Sequence, residues 1–345
     1  DNGRYDVYVS NSFTTFLTNH IFETYLNDFN RDAILFDKKV AVYGHNEQYV
    51  FGNLGYSLSA SGSHPVVVEF IYDQLNNLLF MNNTALEEEG VTAWKNIIQK
   101  VPNSVIPLEV KQIYLDSDNS DLERGGWQQL SLPWKLNTSW RLTGGAHGLY
   151  SPNVASYYHN QYTTNHNYSV WNALDFSGPK NSAGQYTDKK VRAIADGTVV
   201  SVYKTSNGTP CQLSIRHGDN VFIYLHLGNN SNKNYYVGQK ISAQEELGEI
   251  SNNCGQSTGP HVHFAVKNKT NTAPVEIAGL ELGGNKVSSD YLKNTIKTYN
   301  SCIERNGQKF CPGNYVYNYN DSSTDNSNHN PTMDNSSNSR SDNRE

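Results

Sequence analysis

His261 and His263, separated only by Val262, are the residues of this chain best placed for chemistry. They lie in Ser257-Thr258-Gly259-Pro260-His261-Val262-His263-Phe264-Ala265-Val266, where a Gly-Pro turn leads into alternating residues. That pattern predicts a strand entered through a loop. Residues i and i+2 of a strand share a face, so both imidazoles project side by side. One could bind a metal ion while the other acts on whatever that ion activates. Two histidines on a solvated strand face give the same pattern, so further donors must decide between the two readings.

A catalytic zinc takes three protein ligands from His, Cys, Asp or Glu and keeps one position open. No HExxH occurs, which removes the helix-borne arrangement and its glutamate base. Gly144-Gly145-Ala146-His147 places a histidine after a glycine pair that lets backbone approach a site closely. Trp171-Asn172-Ala173-Leu174-Asp175-Phe176-Ser177 sets one carboxylate among apolar neighbours, where it is costly unless paired or metal-bound. Val221-Phe222-Ile223-Tyr224-Leu225-His226 ends an apolar strand on a further histidine. Alone, His226 reads as a strand-end histidine bonded to backbone. Two histidines and an aspartate around divalent zinc leave a net charge of about plus one, a Lewis acid able to acidify water. Two non-ligand imidazoles could then share proton removal and oxyanion stabilisation.

The elements that must position these groups are read as short strands. The chain has 345 residues, which makes two domains the default. Charged residues are only 17%, while Asn, Ser, Tyr and Gly abound, so a mainly β protein is expected. Strands are expected over Lys190–Ile194, Gly197–Tyr203, Cys211–His217, Asn220–Leu225, Tyr235–Lys240 and His261–Lys267, separated by turn signals such as Asp196-Gly197 and Asn207-Gly208. They make one antiparallel β domain. Before it, residues 1–124 form an α+β region without cysteine. Helices are expected near Phe16–Phe29 and over Ala85–Lys100, and strands near Val40–Val50 and Val105–Leu115, while Val66–Tyr72 stands out as an apolar segment. The histidines of this region, His20, His45 and His64, show no spacing that suggests a site. The polar stretch from Asp116 to Asp121, followed by Gly125-Gly126, marks an exposed boundary open to proteases. The second domain is taken as residues 125–319. Residues 320–345 are almost entirely Asn, Ser, Asp and Arg and are expected to be disordered.

The net charge of -6, without a dense Lys/Arg cluster, argues against nucleic acid or an anionic membrane as the main partner. No apolar run approaches about 20 residues, so no membrane span is expected. The four cysteines, Cys211, Cys254, Cys302 and Cys311, lack any CxxC spacing, which disfavours a zinc-thiolate site and favours disulfides in an oxidising compartment. Four cysteines allow three pairings. The pairing expected is Cys211 with Cys254 and Cys302 with Cys311; buried free thiols are the alternative.

Taken together, Leu132-Pro133-Trp134, Ser139-Trp140, Gly145-Ala146-His147, Asp175, Tyr224-Leu225-His226, the segment from Ser257 to Phe264 and the late Cys302/Cys311 pair resemble the lysostaphin/LytM family of zinc endopeptidases, in the β-lytic branch that includes staphylolysin. The likeness covers roughly residues 128 to 319. It implies an antiparallel β-sheet catalytic domain of the duplicated hybrid motif type, with one Zn2+ per chain held by His147, Asp175 and His263, and with His226 and His261 as catalytic histidines. His159 and His166, in the long insertion Leu149–Ser169, are alternatives for the first ligand. Tyr299 is the nearest candidate for a tyrosine that supports the transition state in relatives. The resemblance further implies that residues 1–124 are a propeptide, that the protein is a secreted zymogen and acts as a monomer, and that it cuts glycine-containing peptides of bacterial peptidoglycan. The start at Asp1 fits a targeting peptide already removed. The competing expectation is a non-catalytic cell-wall-binding or regulatory module of the same fold.

Overall fold

The computed structural model describes residues 11–28, 36–57, 66–82, 88–115, 130–147, 173–204, 210–228, 234–252, 257, 259–268, 275, 277–288 and 302–319. The expected boundary, the 149–169 insertion with His159 and His166, Tyr299, His64 and the tail from 320 all lie outside them.

The first elements are α1 (Asn11–Asp28), the strands β1 (Phe36–His45), β2 (Tyr49–Ser57), β3 (Val66–Asp73) and β4 (Leu78–Met81), then α2 (Glu88–Lys100) and α3 (Leu108–Leu115). The strands make an antiparallel sheet in chain order. Two expectations are corrected here. The strand expected near Val40–Val50 is a hairpin: the chain reverses at Asn46, whose Oδ1 accepts from the amides of Gln48 and Tyr49 at 2.9 and 2.7 Å. Nor is Val105–Leu115 a strand. Pro107 opens a helix by accepting from the amides of Val110 and Lys111 at 3.0 and 2.9 Å, and Val110, Ile113 and Tyr114 are buried at helical spacing. His20 is held by Tyr72 Oη and Asn77 Oδ1 at 2.9 and 3.0 Å, a structural role.

From residue 130 onward every described element is a strand. In order come β5 (Ser139–His147), β6 (Ala173–Ser177), β7 (Lys190–Arg192), β8 (Gly197–Lys204), β9 (Pro210–His217), β10 (Asn220–Leu225), β11 (Leu227–Gly228), β12 (Lys240–Ile241), β13 (Glu246–Ile250), β14 (Val262–Asn268), β15 (Glu281–Leu282), β16 (Asn285–Val287), β17 (Ile303–Arg305), β18 (Gln308–Phe310) and β19 (Tyr315–Tyr317). The main sheet has eight strands in the order β12-β8-β9-β10-β14-β6-β5-β19, with every pairing antiparallel. The smaller sheets β11-β13-β7 and β15-β16-β17-β18 complete the domain. The protein is therefore mainly β and antiparallel, as its composition implied. The expected strand over Tyr235–Lys240 is cut back to β12. Gly238, at φ +90, bends the chain, and Gln239 N donates to Tyr236 O at 3.2 Å. Cys302 and Cys311 are bonded as expected. Cys211 is also disulfide-bonded, and its expected partner Cys254 lies outside the described residues.

Alternation divides the main sheet cleanly. Leu174, Phe176, Phe222, Tyr224, Val262 and Phe264 face the domain's own core, where Trp134 stacks on Trp140 at 5.4 Å and meets Phe176 at 5.0 Å. Ala173, Ile223, Leu225 and Ala265 face the other way and pack with Val67 of β3 in a separate cluster. The N-terminal elements thus dock on the outer face of the main sheet. Among the described residues Val202 of β8 has no ladder partner on its β12 side, since β12 pairs with Gly197 and Thr198. Its amide donates to Tyr43 Oη at 3.2 Å and its carbonyl accepts from Asn53 Nδ2 at 3.1 Å. The docking therefore satisfies backbone groups that the sheet leaves open. Glu69 of β3 and Lys267 of β14 lie across the same contact. Burial pushes the Glu69 carboxyl up and the Lys267 ammonium down, and each opposes the other's shift. Among the described residues no helix is long and apolar enough to cross a membrane.

Candidate active site

Strand register brings the expected residues together. On β14, His263 stands opposite Asp175 of β6 on one side and Leu225 of β10 on the other. Cross-strand partners share a face, so the His263 imidazole and the Asp175 carboxylate meet on the outer face. His263 Nδ1 lies 3.0 Å from Asp175 Oδ1. His261 Nε2 approaches the same oxygen at 3.6 Å. The two histidines of the His-x-His segment therefore reach one carboxylate from one face, as strand alternation requires.

Their environments differ, and so does the chemistry open to them. His263 is fully buried and Asp175 is 5% exposed, which leaves them to each other and to whatever fills the space they share. His261 is half-buried at the strand mouth and lines a cavity of about 230 Å³. Its Nδ1 donates to the carbonyl of Gly259 at 2.8 Å and lies 3.1 Å from Ser257 Oγ. A carbonyl only accepts, so in the neutral ring the proton sits on Nδ1 and Nε2 keeps its lone pair towards Asp175 and the cavity. That tautomer suits a base.

His226 occupies the corner where the chain leaves β10 in the main sheet and enters β11 in the smaller one. It takes φ +65, a left-handed conformation uncommon outside glycine, and is fully buried. Ser251 N donates to its carbonyl at 2.8 Å and holds the corner. Its ring centre is 4.6 Å from that of His261 and 6.2 Å from that of His263. A strained non-glycine residue kept at a cluster of histidines is where function is expected to concentrate.

His147 ends β5, with its backbone opposite Ala173, two residues before Asp175 on β6. An irregularity between Gly144 and His147 adds a residue to β5 there. The His147 side chain lies outside the described residues, so two of the three expected donors can be placed. Among the described residues no group of three metal-ligating side chains is assembled. The two that are placed fit zinc. They are the imidazole and carboxylate this ion prefers, and their 3.0 Å separation is close to the roughly 3.3 Å between two ligands on tetrahedral zinc with bonds of about 2.0 Å.

Three residues of the site were not singled out from sequence. Ser177 Oγ and Tyr186 Oη both donate to the carbonyl of Pro260, at 2.8 and 3.2 Å, and pin the turn that delivers His261. Arg141 lines the same cavity. Ser177 could have been found by stepping two residues along β6 from Asp175, whereas Tyr186 and Arg141 reach the site only through tertiary structure.

No curated protein matches the sequence. Among solved structures the chain is similar to the M23 metalloprotease pseudoalterin from the deep sea, at 23% identity over 55% of this chain and 98% of that one, with a TM-score of 0.39. It is also similar to the catalytic domain of the prophage-encoded M23 protein EnpA from Enterococcus faecalis, at 19% identity over 42% and 93%, with a TM-score of 0.27. A third is lysostaphin from Staphylococcus simulans, at 22% identity over 43% and 50%, with a TM-score of 0.27. Residues 169–276 match the model of Peptidase family M23. That segment begins after His147 and contains Asp175, His226, His261 and His263, so the part of the β domain that is similar to Peptidase family M23 is the part that holds these four residues of the candidate site.

Proposed function

We propose that this protein is a zinc metalloendopeptidase of the β-lytic branch, secreted as a zymogen, that hydrolyses glycine-containing peptide bonds of bacterial peptidoglycan. The observation that carries the reading is the convergence of His261 and His263 on Asp175, with His226 beside them. Zinc would be held by His147, Asp175 and His263, and when bound it supplies Lewis acidity to the attacking water and the scissile carbonyl. His261 takes the water's proton at Nε2, the ring nitrogen its Gly259 contact leaves without one. His226 donates an N–H to the developing oxyanion. An unbranched glycine segment suits a narrow cleft, and the cavity beside His261, at about 230 Å³, is small. Disulfides support an extracellular setting.

Latency rests on a second observation. Val67 shares a buried cluster with Ala173 and Ala265, each two residues, or about 7 Å, along its strand from Asp175 or His263. The N-terminal elements therefore occupy part of the face that an extended peptide would have to cross. A non-catalytic module is disfavoured because Asp175, His226, His261 and His263 are all retained. Purified chain should contain about one zinc and, after limited proteolysis between residues 116 and 129, release peptides from peptidoglycan whose masses place the cut at glycine. A folded, zinc-loaded, processed chain that releases nothing contradicts the proposal.

A further inference from the structure

The proposed reaction leaves two cations beside the site without a role. The row of residues one step outside Asp175 and His263 on the same face runs from His261, next to Val262 opposite Phe176, through Ser177 and Arg141 to Tyr315. Ser177, Arg141 and Tyr315 are successive cross-strand neighbours, and with His261, Lys180 and Tyr186 they line the cavity at the site. Arg141 Nε donates to Gly313 O at 3.2 Å, which orients the guanidinium, and among the described residues neither terminal nitrogen has a hydrogen-bond partner. Lys180 Nζ sits 4.5 Å over the ring of Tyr186. Among the described residues neither Arg141 nor Lys180 pairs with a carboxylate. Of the described residues lining the cavity the one carboxylate is Asp175, which is engaged by the two histidines. Two cations facing one small cavity give it a positive potential that a neutral glycine segment does not use.

Resting on the proposed peptidase reading, we infer that Arg141, helped by Lys180, binds a free carboxylate of the substrate peptide. Adjacent strands are about 4.8 Å apart, so the backbone of Arg141, two strands from that of His261, lies roughly 10 Å away. An extended peptide advances about 3.3 Å per residue, which sets the carboxylate about three residues from the scissile bond. The site then selects peptides ending in, or branched by, an acid at that distance, and Arg141 supplies the planar fork that pairs with it.

The test uses the zinc-loaded full chain and its proteolytically processed form with two synthetic glycine-containing peptides, identical except for a carboxylate or a carboxamide three residues from the cut. Binding is read by calorimetry and cleavage by kcat/KM. The carboxylate peptide should be favoured about ten- to a hundredfold, with an advantage that shrinks as salt rises. Arg141→Gln should bring the ratio close to one, and Lys180→Gln should lower it part of the way. The comparison within the unaltered protein stands even if a variant fails to fold. Equal binding and cleavage of both peptides, with cleavage intact, overturns the carboxylate site and leaves the peptidase reading standing. Preferential binding without any cleavage of either peptide or of peptidoglycan supports the site and overturns the peptidase reading. Neither binding nor cleavage overturns both.

Discussion

Asp175 and His263 face each other across β6 and β14, and the carboxylate oxygen meets the imidazole Nδ1 at 3.0 Å in a buried setting. A buried carboxylate and imidazole that share a space are a strong start for a metal site and a poor place for a solvated pair. Asp175→Ala should therefore cut zinc content from about one per chain to near zero and abolish peptide release. Metal analysis on the folded variant checks this, and a variant that keeps its zinc contradicts the ligand assignment.

His261→Ala separates proton transfer from metal binding. Its ring lines the cavity while that of His263 is fully buried, so the variant should retain zinc and lose about 10²–10⁴-fold in kcat. Loss of zinc together with activity would instead make His261 a ligand.

His226 is held at φ +65. Asn is among the residues that best tolerate this conformation, so His226→Asn should keep the corner between β10 and β11. The expected result is a melting temperature close to that of the unaltered protein with cleavage lost by about a hundredfold or more. Unchanged activity would show that the strained histidine serves only the turn.

The contact between the N-terminal elements and the sheet can be loosened at Gly55, where an added Cβ would overlap the ring of Tyr203. Gly55→Val should raise peptidoglycan cleavage by the unprocessed chain if those elements obstruct the face. No change in unprocessed activity, with the contact shown to be weakened by greater protease sensitivity, would reduce their role to assisting folding.

His217 sets an acid limit on stability. Burial pushes its imidazole down to about 4, because the ring is enclosed, with Nδ1 donating to Asp196 O at 3.0 Å and Nε2 accepting from Tyr224 Oη at 2.9 Å. The unfolded chain takes up this proton near the ordinary value of 6.5 and the folded chain only near 4. The stabilisation is complete above pH 6.5 and falls with pH across that window, by roughly 3 kcal/mol in all. Urea midpoints measured from pH 7 to pH 4 should show the loss, and His217→Gln should flatten it.

Local pattern carried the site further than it carried the fold. The face shared by His261 and His263 follows from a two-residue period alone, and β10 was read to its last residue because alternation and flanking turns agree. Asp175 announced itself as a lone carboxylate among apolar residues. The helix at Leu108–Leu115 is not legible in the sequence, because its apolar positions are dense enough to hide the helical period. Gly238 bends Tyr235–Lys240 by a positive φ that composition does not display. The docking of Val67 beside Ala265 and the arrival of Arg141 at the cavity depend on contacts between distant segments, which no short window of sequence contains.

The central claim is most directly tested by measuring zinc content and peptidoglycan digestion on the same purified, proteolytically processed sample, with the released fragments identified by mass. The account predicts about one zinc per chain, fragments that end at glycine, and loss of both zinc and fragments on chelation with recovery when zinc is returned. A folded chain that binds no zinc, or that holds zinc and releases no fragments, would contradict it.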